Sequence, residues 1–317
     1  MFNKAPHRKN LIIKIIPLLL LLFIFFSCSK PKSEKHEELT DFLPQSEVEK
    51  IAEKIEKLLQ NKKGTQVYSL FDGKEFYERL SIDSRQNPQV RVKEVSRIAE
   101  DNFVKNMSNS LDIASDSLQI YFIEAKQQQG NYLPLSFVWN DTAGLNFFDL
   151  FLTRNDNGKI VICDYLIYMS GELASVSLDK FISNRAKYGD DVNSKLGKAL
   201  IKLTEISKLS ALQNYEEAYS IYQSIPLPFN QETAFLMKKL NIVKNFSMPL
   251  YIQTLEELIK TEACKECKSL YKFYIAVAEE DQNKQRLYWN ELKSNYKNKK
   301  KLEVIEKAIF LHLKNNP

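Results

Sequence analysis

The chain reads LNFFDLFLTRNDNGKIVICDYLI from Leu145 to Ile167. Aromatic and β-branched residues fill both arms of this stretch, and the segment Asn155–Gly158 between them is typical of a tight turn. Two more strands precede the stretch, so that four strands are predicted in all, at 118–125, 133–140, 145–153 and 159–169. Because short, turn-forming segments join them, we expect an antiparallel meander.

Apolar residues at helical spacing occur on both sides of these strands. Before them, helices are predicted at 46–60, 73–80 and 90–110, the first with Ser46 as its N-cap and Glu49 three residues on. After them, helices are predicted at 193–211, 214–224, 231–245, 249–260, 264–279, 282–296 and 300–314. The pattern indicates an α+β domain at 45–182, a linker at 183–192 and an all-α domain at 193–317.

Each half resembles a known architecture. Helices followed by a four-stranded meander, with Tyr68-Ser-Leu-Phe-Asp72 as the link between two helices, resemble the NTF2-like (SnoaL-like) α+β cone fold over roughly residues 46–180. The second helix of each later pair begins near Asn214, Met248 and Gln282, which is the 34-residue period of tetratricopeptide repeats. The stretch Asn214-Tyr-Glu-Glu-Ala218 is similar to the central part of such a repeat. An irregular helical bundle is the alternative.

The N-terminus resembles that of a bacterial lipoprotein. Lys4, Arg8 and Lys9 form a basic beginning, and the apolar run that follows is shorter than the roughly 20 residues of a spanning helix. The run ends in Ser27-Cys28, which is similar to a lipobox. An uncleaved anchor or an ordinary secreted protein is the alternative.

The lipoprotein resemblance implies a signal peptide at 1–27 and a lipid with an amide-linked acyl group, such as palmitate, on Cys28. It implies a flexible tether at 28–44 and a cell-envelope location with the membrane as a partner. Ser29 rather than Asp after the cysteine favours the outer membrane over the inner.

The net charge of +5 depends mainly on this N-terminus. Residues 1–27 contain four basic residues and no acid, so their removal leaves 41 basic against 40 acidic residues. A nearly neutral body lacks the basic footprint of a nucleic-acid-binding protein. We therefore expect no nucleic-acid partner.

Three cysteines follow Cys28. Cys163 lies in a predicted strand and is interpreted as a small buried apolar residue. Cys264 and Cys267 form a Cys-Lys-Glu-Cys motif at the start of a predicted helix, and they are interpreted as a local disulfide or two free thiols. The motif lacks the strand that precedes a redox motif, and a zinc site lacks further ligands, since His312 is the only histidine after the tether. We therefore expect no metal and no cofactor.

Asp149 and Asp164 are the candidate catalytic residues. A hairpin loop of two or four residues puts both on one face of the sheet, whereas a three-residue loop puts them on opposite faces. The predicted companions of the pair are Phe147, Phe151, Ile160, Ile162 and Leu166. Two carboxylates on an apolar face raise each other's pKa, which suits an acid–base site. The alternative is structural contacts to a helix N-terminus or to a basic residue such as Arg97 or Lys93.

Tyr121, Trp139, Tyr165 and Tyr168 are candidates to line the same pocket, or else are core residues. The sequence offers no set of residues for nucleophilic catalysis. It therefore favours a non-enzymatic, lipid-anchored scaffold whose helical repeats bind a partner protein and whose cone domain provides a second contact surface or a homo-oligomer interface. The rival hypothesis is a small-molecule binder or acid–base enzyme that uses Asp149 and Asp164.

Overall fold

The computed structural model describes residues 43–113, 118–141 and 144–315. Its first helices are α1 (Gln45–Gln60), α2 (Gly64–Tyr68), α3 (Gly73–Glu78), α4 (Ile82–Gln86) and α5 (Val92–Ile113). Helix α1 begins at Gln45 after Pro44, without a side-chain cap, so the predicted Ser46 N-cap is wrong. The helix still buries one side, because Val48, Ala52, Ile55 and Leu59 recur at its period.

The strands are β1 (Gln119–Ala125), β2 (Leu133–Asp141), β3 (Gly144–Arg154) and β4 (Ile160–Ile167), paired antiparallel in that order. This confirms the predicted meander to within two residues at each strand end. The later helices are α6 (Ala174–Tyr188), α7 (Lys195–Ala211), α8 (Tyr215–Gln223), α9 (Thr233–Val243), α10 (Met248–Lys260), α11 (Lys265–Ala278), α12 (Gln282–Ser294) and α13 (Lys300–Asn315). The last seven of these confirm the helical segments predicted beyond residue 192.

Helix α6 departs from the predicted organisation. It runs to Tyr188 and so occupies most of the segment 183–192 that the sequence assigns to a linker. Asp164 in β4 accepts hydrogen bonds from the backbone N–H and hydroxyl of Ser175 in its first turn. The helix is thus fastened to the sheet that precedes it.

The sheet is covered on both faces. One face packs against α1–α5 in a core that includes Ile55, Phe103, Phe137 and Leu150. The other face packs against α9–α13 in a second core that includes Phe147, Leu166, Trp289 and Tyr296. The meander is therefore the middle layer between two sets of helices, and neither of its faces is open. A third cluster lies within α7–α9.

The hairpin between β3 and β4 contains two irregularities. Gly158 N–H donates to the Asn155 carbonyl and Asn155 N–H to the Lys159 carbonyl, which makes a three-residue loop with Gly158 at a φ of +70°. Positive φ is inexpensive only for glycine. A bulge then occurs at Cys163, because Phe151 pairs with Asp164 while Leu152 pairs with Ile162.

The two edges of the sheet are also occupied. Along β1, the Gln60 side chain donates to the Ile120 carbonyl, and Glu56 accepts from Phe122 N–H. Glu124, in the same strand, accepts from the backbone N–H groups of Lys297 and Asn298. Along β4, Ile162 bonds to the segment before α3 through Leu70 and Asp72, and Leu166 bridges to Leu173.

Within the described ranges, no helix has the length and apolar character needed to cross a membrane. Residues 1–42, which hold the predicted signal peptide, Cys28 and most of the tether, lie outside those ranges.

Candidate functional site

Asp149 and Asp164 lie on the same face of the sheet, but for a reason that the sequence does not show. The three-residue loop alone would place them on opposite faces. The bulge at Cys163 shifts the register by one residue and brings them back, so that Asp149 pairs with Leu166 and Asp164 with Phe151. The bulge also transfers Ile162 and the neighbouring Ile160 to the opposite face, which corrects the predicted set of companions.

Asp149 belongs to a buried cluster of five polar side chains, called the Asp149 cluster below. The residue is 3% exposed, and its carboxylate accepts a hydrogen bond from Ser136 Oγ at 2.7 Å and from Lys126 Nζ at 2.8 Å. Lys126 Nζ also donates to the Tyr168 hydroxyl at 2.8 Å, and the Tyr296 hydroxyl donates to that of Tyr168 at 3.1 Å. The cluster joins β2 and β3 to the segment after α12.

Burial sets the protonation of these groups. It raises the pKa of Asp149, and the Lys126 ammonium and the Ser136 hydroxyl oppose that shift. Burial likewise raises the pKa of Tyr168 and of Tyr296, with the Asp149 charge adding to both. Both phenols are therefore neutral at pH 7, and the Lys126 side chain is the basic group that bonds to the Asp149 carboxylate.

Asp164 has its own, separate partners. Its carboxylate accepts hydrogen bonds from Ser175 Oγ at 2.6 Å and from Arg79 Nε at 3.3 Å. The Arg79 guanidinium lies over the Tyr132 ring at 4.0 Å. Burial raises the pKa of Asp164, and Ser175 and Arg79 oppose that shift. A helix N-terminus and a basic residue hold this carboxylate, as in the structural alternative, although the basic residue is Arg79 rather than Arg97 or Lys93.

The two aspartates therefore do not form a carboxylate pair. They are diagonal neighbours on one face, each has its own cation, and the side chains of α9–α13 cover that face. The arrangement suits fixing layers together more than moving protons.

The four aromatic candidates do not share a pocket. Tyr121 and Tyr168 belong to the core on the α9–α13 side of the sheet. Trp139 and Tyr165 belong to the core on the α1–α5 side. They alternate across the sheet, as neighbouring positions in strands do, so the prediction that they line one pocket is wrong.

Cys264 and Cys267 are joined by a disulfide at the first turn of α11. Cys264 N–H donates to the Gly171 carbonyl, and Cys267 is fully buried. Cys163 is a free, buried thiol whose pKa burial raises. Among the described side chains, no group of three metal-ligating residues converges.

A cleft lies elsewhere, between α6, α8, α9 and α10, and is called the helical cleft below. Its volume is about 1120 Å³, and its walls carry amide, hydroxyl and charged side chains of both signs. A volume of this size lies just above the usual range for sites that enclose a small ligand. Its lining residues come from four helices and the segment before α9. No local sequence motif therefore predicts the cleft.

The floor of the helical cleft contains an ion pair between a buried lysine and a partly exposed glutamate. Lys239 is 6% exposed, and its Nζ donates to Glu257 Oε2 at 2.6 Å. Gln253 donates to the other oxygen of Glu257 at 3.0 Å. The ring of Tyr222 lies 6.0 Å from Lys239 Nζ, and the Tyr222 hydroxyl donates to the Asn230 carbonyl. Lys239 follows Phe235 by one helical turn in α9, and a lysine at a buried position of the helical period is the one sequence signal that could have found this site.

The carboxylate of Glu232, in the wall of the cleft, is bonded to an amide and not to a lysine. Both oxygens of Glu232 accept from Asn184 Nδ2, at 3.1 and 3.0 Å. The nearby Lys180 ammonium forms its ion pair with Glu172. Partial burial raises the pKa of Glu232, and the Asn184 amide and the Lys180 charge oppose that shift. In the same cleft, the side-chain oxygen of Asn230 is buried and has no hydrogen-bond partner within the described part of the chain.

A second cavity, of about 690 Å³, lies beside the N-terminus of α1 and the end of β1. Its lining combines apolar residues with polar ones, and Lys126 and Lys297 are among the polar residues. Neither aspartate and none of the four aromatic candidates lines this cavity or the helical cleft.

Comparison with known proteins does not identify the chain. No protein-family model matches it, and neither the curated proteins nor the solved structures contain a match.

Proposed function

We propose that the chain is a lipid-anchored protein of the bacterial cell envelope that acts as an interaction module, and that its helical cleft binds a polypeptide segment of a partner protein. The anchor is the predicted lipid on Cys28, with the outer membrane as the predicted location. The single observation that carries the binding proposal is the cleft of about 1120 Å³ between α6, α8, α9 and α10.

The lining of the cleft supports a polypeptide as the ligand. Its walls carry both hydrogen-bond donors and hydrogen-bond acceptors, and an extended peptide offers both kinds of group along its length. An apolar small molecule would leave these groups unsatisfied, which is costly.

The finer fold assignments also belong to this proposal. Helices α8, α10 and α12 begin at residues 215, 248 and 282, and these spacings of 33 and 34 residues support tetratricopeptide-like hairpins. Helices ahead of a four-stranded meander support an NTF2-like cone. Both sheet faces are covered within one chain, so a homo-oligomer would have to use the outer surfaces of the helices.

Site-specific crosslinking tests the binding proposal. A photoreactive amino acid is placed at Ser183 in α6 and, separately, at Gln223 in α8, both exposed positions in the cleft wall, and at exposed Lys208 in α7 as the control. The full-length variants are irradiated in membranes of cells that express the chain. We expect one common product from the two cleft positions and none from position 208. Equal products at all three positions, or none at either cleft position, would contradict the proposal.

Small-molecule binding is the second candidate, and it is favoured by the position of Lys126. Its side chain lines the cavity of about 690 Å³, a volume usual for small-molecule sites. Two of the three ammonium hydrogens bond to Asp149 and Tyr168, which leaves one for a ligand oxygen. A fragment screen by ligand-observed NMR tests this, with Gln127→Trp as the variant that fills the cavity. Equal binding to both proteins would eliminate the candidate.

A further inference from the structure

We infer that the segment bound in the helical cleft carries a basic side chain, lysine or arginine, whose cationic group pairs with Glu232. This inference rests on the proposed function, because it names the chemistry by which the same cleft recognises its partner.

Glu232 differs from the other carboxylates of the cleft in its partners. Glu257 is paired with Lys239, and Asp179 accepts three hydrogen bonds from the backbone N–H and hydroxyl of Ser81 at the start of α4. Glu262 is exposed to solvent. Glu232 is partly buried, and its hydrogen bonds come from one neutral amide, that of Asn184. Its carboxylate is thus held in place by an amide, without an ion pair among the described residues.

The carboxylate retains room for a ligand. An ionised carboxylate accepts about four hydrogen bonds, and Asn184 uses one position on each oxygen. An ammonium or guanidinium group fits the remaining positions, and hydrogen bonds between charged groups are roughly twice as strong as those between neutral ones. Asn184 fixes the orientation of the acceptor before the ligand arrives, which lowers the entropy lost on binding.

The balance of charged side chains in the cleft also favours a basic ligand. Its lining contains the cations Lys180, Lys239 and Lys260 against the acids Asp179, Glu232, Glu257 and Glu262. Moreover, Lys180 is engaged by Glu172, and Lys239 by Glu257. A segment that brought an acid to Glu232 would be repelled, whereas one with a basic residue would remove the excess of negative charge.

Peptide pools test this inference. Two pools of random heptapeptides are prepared, one with arginine at the central position and one with citrulline, which has nearly the same shape without the charge. Each is passed over the immobilised full chain, and the retained fraction is measured for the wild type, for Glu232→Gln and for Glu205→Gln. The glutamine at 232 preserves an acceptor for Asn184, and the change at exposed position 205 in α7, outside the cleft, is the matched control.

We expect the wild type and Glu205→Gln to retain the arginine pool at least tenfold better than the citrulline pool, and Glu232→Gln to lose that preference. Retained arginine peptides should also shift the side-chain amide signals of Asn184 in NMR spectra. Equal retention of both pools, together with photocrosslinking in the cleft, would overturn the inference and leave the proposed function standing. If the wild type retains neither pool, the inference and the polypeptide-binding proposal both fail.

Discussion

The Asp149 cluster and the helical cleft both contain a lysine bonded to a carboxylate, yet the two carboxylates differ in their exposure to water. Asp149 is 3% exposed and is covered by the helices packed on the sheet, whereas the Glu257 side chain is 31% exposed at the cleft floor. In the first region the polar side chains bond to one another within the sheet and to the segment after α12, so the contacts hold β2 and β3 to that segment. In the second, the Glu232 carboxylate lines the open cleft and retains capacity for further hydrogen bonds. Open volume beside a carboxylate, more than a raised pKa, distinguishes a binding surface from a structural contact.

The largest predicted effect is that of Lys126→Met. It would leave the Asp149 carboxylate buried without its cation, which costs about 3–5 kcal/mol of unfolding free energy. Urea denaturation of the full chain measures it. The double variant Lys126→Met/Asp149→Asn is the control and should recover most of the loss. A cost below about 1 kcal/mol for the single variant would show that water reaches Asp149.

The next effect concerns pH. Burial raises the pKa of Asp149 and of Asp164 above the ordinary 3.8, so the folded state binds these protons more tightly than the unfolded chain does. The free energy of unfolding should therefore fall as pH rises from about 4, by up to roughly 1.4 kcal/mol per pH unit for each group until its raised pKa is passed.

Denaturation at pH 4, 5, 6 and 7 measures that slope in the wild type and in Asp149→Asn. We expect a shallower decline in the variant, whatever its constant offset in stability. Identical slopes would mean that Lys126 holds the Asp149 pKa at its unfolded value, and the comparison between the two regions would then rest on exposure alone.

The smallest of these effects is predicted for Lys239→Met in the cleft. Glu257 keeps its hydrogen bond from Gln253 and its exposure to water, so the loss should be about 1 kcal/mol or less. The same denaturation experiment compares it directly with Lys126→Met. A loss as large as that at Lys126 would show that the cleft floor belongs to the core.

Much of the fold follows from the sequence, because its strands and later helices have strong local periods. The five-residue helices α2 and α4 were missed because they are too short to show a period. The bulge at Cys163 was missed for a different reason. Both faces of β3 and β4 are apolar, so the hydrophobic pattern of the sequence does not reveal a register shift of one residue. The side chains that share a face with Asp149 therefore could not be assigned.

The candidate site depends on long-range contacts. Lys126 and Asp149 lie 23 positions apart, and Tyr296 lies 128 positions beyond Tyr168. The residues of the helical cleft extend from Ser81 to Glu262. No spacing rule joins such distant positions. The one signal that the sequence offers is Lys239, a lysine at a buried position of the helical period of α9.

The occupied sheet edges have a consequence for the lipid anchor that we propose. Such an anchor would raise the local concentration of the chain on a bilayer, where exposed strand edges can pair with one another into aggregates. Here glutamine and glutamate side chains cover backbone groups of β1, and the segment before α3 covers part of β4. Neighbouring copies therefore find few free backbone groups to pair with, so the protein can be crowded without growing into β-rich assemblies.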